Sequence, residues 1–375
     1  MSEQVTADFQ VAPGITFVQT RYRTAKGPER ASVLYVDTQV AGRDFTPALA
    51  NGFLSSDGEA VSGIARRIHA FAGTNGDYYN GVGRFPLPLG QGQPTHLLVE
   101  RGAVVLGGLP DDCGVLEVAT DGRMAIGREQ FWGTVQAAGA PPQRLSAVNV
   151  LVGPGPLSQC DTAVQHRELV FMTDRWSPYP SPMAGPAPVA EMRQTGPYGY
   201  VVTAVLRRRL ELPPLPAGYS ALVGEGSARS FVRHLHRGQL VAIHDGVRPD
   251  NRLESAVGGG FILLQGGVVN PEIARSSLPG EAATVVGTST DGTEAVFAVF
   301  DGGQPHIGIG VGYAMMAGWL QTQGMADGEF FDNGGSSTMV VRTPGRRGVT
   351  VENSPSDGQE RLVAECLCFA PPPPP

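Results

Sequence analysis

The chain has 375 residues, 41% of them hydrophobic and 17% charged, with a formal net charge of -7 and a pI near 5.5. That apolar content can build a large core, and the charge is too low for a disordered chain. The only dense basic cluster is Arg207, Arg208 and Arg209; it reads as a solvated strand edge, so no nucleic-acid-binding face is expected.

The first seventeen residues, MSEQVTADFQVAPGITF, show no cationic n-region, apolar h-region or small-residue cleavage site. No eighteen apolar residues run together, so no membrane span is expected. The expectation is therefore a cytoplasmic protein. Lys26 is the sole lysine, and with 51 glycines and 31 prolines this suggests a GC-rich, bacterial coding genome.

Short apolar runs closed by Gly, Asp or Pro dominate the chain and predict strands, among them ASVLYVDT, HLLVERGAVVLG, ELVFMTD, GQLVAIHDG and AVFAVF. Residues 284–300, TVVGTSTDGTEAVFAVF, read as a hairpin turning at Asp291-Gly292. Helical spacing appears three times. In residues 59–73 it links Val61, Ile64, Ala65, Ile68 and Phe71; in 227–238 it links Phe231, Val232 and Leu235 after a Ser227 cap; in 310–324 it links Tyr313, Met316, Ala317 and Leu320 before Gly324. Residues 176–197 carry many prolines and predict a surface loop or lid. The terminal prolines, 371–375, predict a disordered tail. The fold class expected is α+β, with strand-rich mixed sheets, a few helices and one domain over 10–370.

Three carboxylates sit at predicted strand ends beside glycine: Asp77 in TNGDYYNG, Asp301 in VFDGGQ and Asp332 in FFDNGGSSTM. Each Asp-Gly or Asp-Asn-Gly taken alone is turn chemistry. Three together, with Asn75 nearby, suit acid-base catalysis, sugar-hydroxyl binding or cation coordination. The small residues Gly334, Gly335, Ser336, Ser337 and Thr338 can turn several N–H groups and hydroxyls toward an anionic oxygen, or can form a tight structural turn. Near the end, Asn353, Ser356 and Asp357 are turn formers, and Arg361 beyond them offers a forked guanidinium for a phosphate.

No H-E-x-x-H or paired-cysteine zinc pattern, dinucleotide fingerprint or Walker motif occurs. No cofactor is required, and a divalent cation is left open. The four cysteines, Cys113, Cys160, Cys366 and Cys368, include two in ECLCF that alternation puts on one strand face; these are expected to be small buried hydrophobes.

In order along the chain, five motifs resemble the phosphodiester glycosidase family, from about Pro13 to Phe369. An Asn-Gly-Asp-Tyr-Phe element is matched by Asn75 to Tyr79, and a Gly-Gly-Gly-Pro stretch by Gly258 to Phe261. A Val-Asp-Gly-Arg strand end corresponds to Phe300 to Gly303. The Asp-Gly-Gly-Gly-Ser signature is Asp332, Asn333, Gly334, Gly335 and Ser336, followed by Ser337, Thr338 and Met339. The closing Asn-x-Pro-Ser-Asp-Gly with its following Arg is Asn353 to Gly358 and Arg361. The chain departs from the family at Ala283 for an Arg, Met315 for a Glu, Phe330 for an Asn, Gly303 for an Arg and Asn333 for the first signature Gly.

The resemblance implies a hydrolase that cuts between the anomeric carbon of a sugar and a phosphate oxygen, acting on a small-molecule sugar phosphodiester or related glycoside, possible contexts including natural-product biosynthesis. Asp77, Asp301 and Asp332 would form its acidic core. Asn75 and Asn353 would orient the sugar, and residues 335–338 with Arg361 would face the phosphate. The alternative is a catalytically silent relative that binds a glycan or a partner protein.

Overall fold

The predicted hairpin forms, and it lies at the centre of the structure, a computed structural model that describes residues 3–79, 92–108, 113–150, 153–154, 166–249, 252–273 and 280–372. Strands Ala283–Thr288 and Glu294–Phe300 pair antiparallel from Ala283↔Phe300 to Thr288↔Ala295. Asp291 organises the turn by accepting from the Ser289 and Thr293 hydroxyls, at 2.8 Å each, and Gly292 takes a φ of 70°.

Around this hairpin an eight-stranded antiparallel sheet is ordered Glu3–Ala12, Ile15–Arg23, Pro28–Asp37, Glu294–Phe300, Ala283–Thr288, Asp327–Phe330, Ile262–Gln265 and Val268–Val269. Its central strands are buried on both sides, which is why AVFAVF reads as an unbroken apolar run. On one side Phe297 packs on Phe45 and Phe369 of a second sheet, with ring centroids 6.0 and 5.1 Å away. On the other side Phe300 meets Trp319, at 5.2 Å, from the helix Tyr313–Thr322.

The second sheet is five-stranded, ordered Thr350–Val351, Met339–Val341, Ala72–Asn75, Glu365–Phe369 and Phe45–Leu49. Another eight-stranded sheet carries Gly199–Leu212 and Ser181–Gln194 near its middle, with one parallel contact between Ala147–Val148 and Leu169–Thr173. The Arg207 to Arg209 triplet is exposed on the first of these strands.

The four described α-helices are short: Thr38–Ala41, Val61–Arg67, Ala228–His234 and Tyr313–Thr322. The strand-rich α+β class is therefore observed. None of these helices is long and apolar enough to cross a membrane.

Three expectations need correction. Residues 176–197 are not a loop or lid throughout, because Ser181–Gln194 is a fourteen-residue strand paired on both sides. Its prolines fit because they fall at or beside register shifts between Pro182, Ala187 and Val189, where no ladder N–H is required. The first predicted helix stops at Arg67, since His69 takes a φ of 59° and the chain enters the strand Ala72–Asn75. Ser227 makes no capping bond; its hydroxyl instead donates to the Glu168 carboxylate. Of the predicted tail, 373–375 lie outside the described residues.

The cysteine expectation is corrected as well. Cys366 and Cys368 do share one buried strand face, but a disulfide joins them. Gly73 on the adjacent strand makes room for it, since a Cβ there would lie 2.7 and 2.8 Å from the two sulfurs. Cys113 is also disulfide-bonded.

Candidate active site

The first and second sheets deliver all three carboxylates to one region. Asp332 follows the strand Asp327–Phe330, Asp301 follows Glu294–Phe300, and Asp77 follows Ala72–Asn75. The two sheets are tied where the Asp332 N–H donates to the Gly76 carbonyl at 3.1 Å.

Asn75 makes that junction rigid. Its side-chain amide donates to the Asp332 carbonyl at 2.8 Å, while its Oδ1 accepts from the Thr284 hydroxyl at 2.7 Å and the Thr338 N–H at 3.1 Å. Asn353 plays a matching part, accepting from the Met339 N–H and donating to the Ser337 carbonyl, at 2.9 Å each. Both side chains are buried and hold backbone, so neither amide is displayed to a sugar as the resemblance implied.

Asp77 and Asp301 are similarly engaged. One Asp77 oxygen accepts from the Thr95 and His96 N–H groups at 2.7 Å each, and the other pairs with His96 Nδ1. Asp301 pairs with Arg30 Nε and accepts from the Ser354 N–H at 2.6 Å. Burial raises the Asp301 pKa, although Arg30 opposes the shift.

Asp332 differs from both. It is half-buried, belongs to no described ion pair, and accepts from its own following amide, Asn333 N–H, at 3.0 Å. Burial pushes its pKa up to about 6, against the pull of the Ser336 hydroxyl, the Asn333 amide and the Arg361 guanidinium, with Asp77 adding to the rise.

Residues Gly334–Ser336 form a single 3-10 turn, with Gly334 at a φ of 61°. The Gly334 N–H donates to the Ala282 carbonyl at 2.7 Å and the Ser337 N–H to the Gly334 carbonyl at 3.2 Å. Thr338 donates to Asn75 as described above. These amides therefore hold the turn, and Gly335, Ser336, Ser337 and Thr338 are buried. The structural-turn reading describes the run's backbone better than an open anion cradle.

Arg361 stays near the surface in a forked pair with Asp357, at 2.9 and 3.2 Å. Gly335 lies directly beneath, since a Cβ there would fall 2.2 Å from both Arg361 Nη2 and Asp357 Oδ2. Ser356 is half-exposed close to Gly303.

An aromatic wall completes the region. The Phe330 ring meets Tyr313 at 4.5 Å, and Tyr78 and Phe261 at 6.1 Å each. Burial raises the Tyr78 pKa, and the nearby acidic groups Asp332, Asp77 and Glu281 add to the rise. These groups thus lie within electrostatic reach of one another. The site can supply a carboxylate titrating near neutrality, a partly exposed guanidinium and aromatic faces for a sugar.

Several contributors were missed by sequence reasoning. Arg30 and His96 sit in strands or strand entries with no motif around them, and their roles exist only through Asp301 and Asp77. Glu365 precedes Cys366 in the predicted strand, yet it is buried and its Oε1 accepts the Asp77 N–H at 3.0 Å. Burial beside Asp77 pushes the Glu365 pKa well above the usual carboxylate range. An acid inside an apolar strand was the one available signal. At the positions where the chain departs from the family, Ala283 is a buried strand residue, Phe330 is buried in the aromatic wall, and Met315 is exposed on its helix. Among the described residues no cluster of three or more His, Cys, Asp or Glu side chains is placed to hold a metal ion.

Comparison with known proteins finds no match among curated sequences. Among solved structures, a putative exported protein from Burkholderia pseudomallei is 23% identical with a TM-score of 0.73, covering 92% of this chain and 74% of that one. A hypothetical protein from Synechocystis is 14% identical with a TM-score of 0.70, covering 97% of this chain and 63% of that one. The catalytic domain of zebrafish N-acetylglucosamine-1-phosphodiester alpha-N-acetylglucosaminidase, auto-inhibited by its pro-peptide, is 12% identical with a TM-score of 0.50, covering 99% of this chain and 88% of that domain. At these identities the likeness is one of fold. The family model described as phosphodiester glycosidase matches residues 186–370, which contain Asp301, Asp332 and Arg361. The likeness to the phosphodiester glycosidase family is thus one of sequence over residues 186–370 and one of fold over nearly the whole chain.

Proposed function

We propose that the chain is a hydrolase that cleaves the glycosidic bond of a sugar-1-phosphodiester or a related glycoside. The observation that carries this reading is Asp332: a half-buried carboxylate with no described ion pair and a pKa near 6, next to an accessible guanidinium and an aromatic wall.

The bond chemistry suggests its role. When C1–O cleavage expels a phosphomonoester, the leaving oxygen departs with the bonding pair on a group that is already a stable anion. It needs charge neutralisation more than protonation, and Arg361, shared with Asp357, would supply that. The incoming water must lose a proton as its oxygen bonds to C1, and ionised Asp332 would accept it. Asp77 and Asp301, held by His96 and Arg30, would position the strand ends. Tyr78 and Tyr313 would offer ring faces to the sugar.

The test is product analysis of the purified protein on a panel of sugar-1-phosphodiesters, nucleotide sugars included, with Asp332→Asn alongside. Free sugar and phosphomonoester from wild type alone would support the reading. Ligand retention without product from any substrate would favour the silent binder instead.

The Cys366–Cys368 disulfide also bears on location. Such bonds persist in oxidising compartments, so we propose that the protein works outside the reducing cytoplasm expected from its sequence.

A further inference from the structure

Glu281 is a carboxylate at the candidate site that the chemistry above does not use. Its backbone is clamped. Glu281 and Val311 exchange N–H···O bonds at 3.4 and 3.0 Å, and a Cβ at Gly302 or Gly310 would lie 2.3 or 2.5 Å from the Glu281 backbone. Its side chain is exposed and makes no ion pair or hydrogen bond among the described residues.

The strand register sets where that carboxylate faces. Val285 lies opposite Phe330, so alternation puts Ala283, Glu281 and Asp332 on their shared face of the sheet. The Gly334 N–H bond to the Ala282 carbonyl then brings the turn after Asp332 alongside Glu281. A Cβ at Gly334 would lie 3.9 Å from Glu281 Oε2. Tyr78 and Tyr313 of the aromatic wall are within electrostatic reach of the same carboxylate. Ala283 is buried and uncharged, so that strand offers no cation between Glu281 and Asp332.

The turn Gly334–Ser336 thus has opposite charges beside successive residues. Glu281 stands next to Gly334 and Arg361 over Gly335, whose Cα atoms are roughly 3.8 Å apart. Arg361 pairs with Asp357, and Glu281 is left without a cation. In the same turn Ser336 Oγ is buried, near enough to Asp332 to favour its charged form, and without a well-formed hydrogen bond. A ligand that matches this pattern carries an anion and a cation on adjacent ring carbons, with hydroxyls beside them.

We propose that Glu281 is a specificity-determining residue that receives the ammonium of a 2-amino sugar whose C1 carries the phosphodiester. This rests on the reading of the site as one for sugar-1-phosphodiesters, and it narrows the sugar to one with a free amine at C2. A 2-hydroxy or N-acetylated sugar offers Glu281 no charge, whereas an ammonium supplies a charge-assisted bond.

The experiment compares UDP-glucosamine, UDP-glucose and UDP-N-acetylglucosamine at about pH 6.5, where an amine of this kind is protonated. Wild type is assayed for turnover. Asp332→Asn is titrated calorimetrically, which removes the neighbouring carboxylate and spares the ligand. Asp332→Asn is expected to bind UDP-glucosamine about tenfold or more tightly than either neutral sugar. Wild type should show the same order in kcat/KM. Adding Glu281→Gln should bring the three affinities within about threefold of one another, and Glu281→Lys should place UDP-glucosamine last; thermal melting checks that each variant is folded. Equal affinities in Asp332→Asn, or a preference that survives both Glu281 variants, would overturn this inference, while turnover by wild type would leave the hydrolase reading standing. An amine preference without turnover of any of the three would keep the inference and count against the hydrolase. If none is bound or cut at millimolar concentration, both fall.

Discussion

A carboxyl group needs two things to exchange protons with a reactant near neutral pH: a pKa in that range and freedom from a fixed cation. Asp332 has both, while Asp77 and Asp301 are committed to His96 and Arg30. Asp332→Asn is therefore expected to lower kcat by about 100-fold or more while the melting temperature stays within a few degrees; an unchanged kcat would remove Asp332 from the chemistry. Because the proposed role needs the ionised form, kcat/KM should rise with pH through about 6 and level off above it. A profile that falls over that range would instead assign Asp332 as an acid. Asn75 is expected to act on stability. Its amide makes three hydrogen bonds, two of them buried, so Asn75→Ala should cost about 3 kcal/mol, read as a lowered urea midpoint. The sequence placed Asp332 in a telling context because Gly, Ser and Thr cluster beside it. It gave no hint that Asn75 would hold backbone, since the groups it bonds lie 209 to 263 positions away along the chain.

Among the elements, the turn after Asp332 leaves no room for a side chain at Gly335. A methyl group at Gly335 would meet the Asp357–Arg361 pair at 2.2 Å, too close for the pair to stay where it is. Gly335→Ala should cost about 1–3 kcal/mol and displace Arg361; a variant with wild-type stability and KM would show that the pair can move freely. Local chemistry made the 283–300 hairpin legible, because apolar runs and an Asp-Gly turn suffice to specify it. The strand Ser181–Gln194 was hidden for the opposite reason. Its prolines argue against a strand when read alone, and only the neighbours Gly199–Leu212 and Tyr219–Gly224, which bracket its bulges, make it one. The first helix was overextended because apolar spacing continues past Arg67, and periodicity cannot register the positive φ at His69.

Over the molecule as a whole, buried charge links the core to pH. Glu365 is favoured in its neutral form by burial and by Asp77, so its folded pKa lies above its unfolded one. The stability this gives is complete in acid and is lost as pH rises through about 8. Wild type should therefore melt at progressively lower temperature across that range, and Glu365→Gln should flatten the dependence. A steep dependence retained in the variant would point to another group. Without reductant, Cys366 and Cys368 are expected to resist alkylation even in denaturant; labelling of either would deny the disulfide. One consequence of the sheet order concerns synthesis. The strand Pro28–Asp37 has Glu294–Phe300 as its neighbour, with Leu34 opposite Phe297. A nascent chain therefore emerges with that apolar edge uncovered until some 260 further residues have been added, and Asp77 awaits strands made later still. The candidate site can therefore close only after these late strands are made, and until then the early strand stands as a template without its partner.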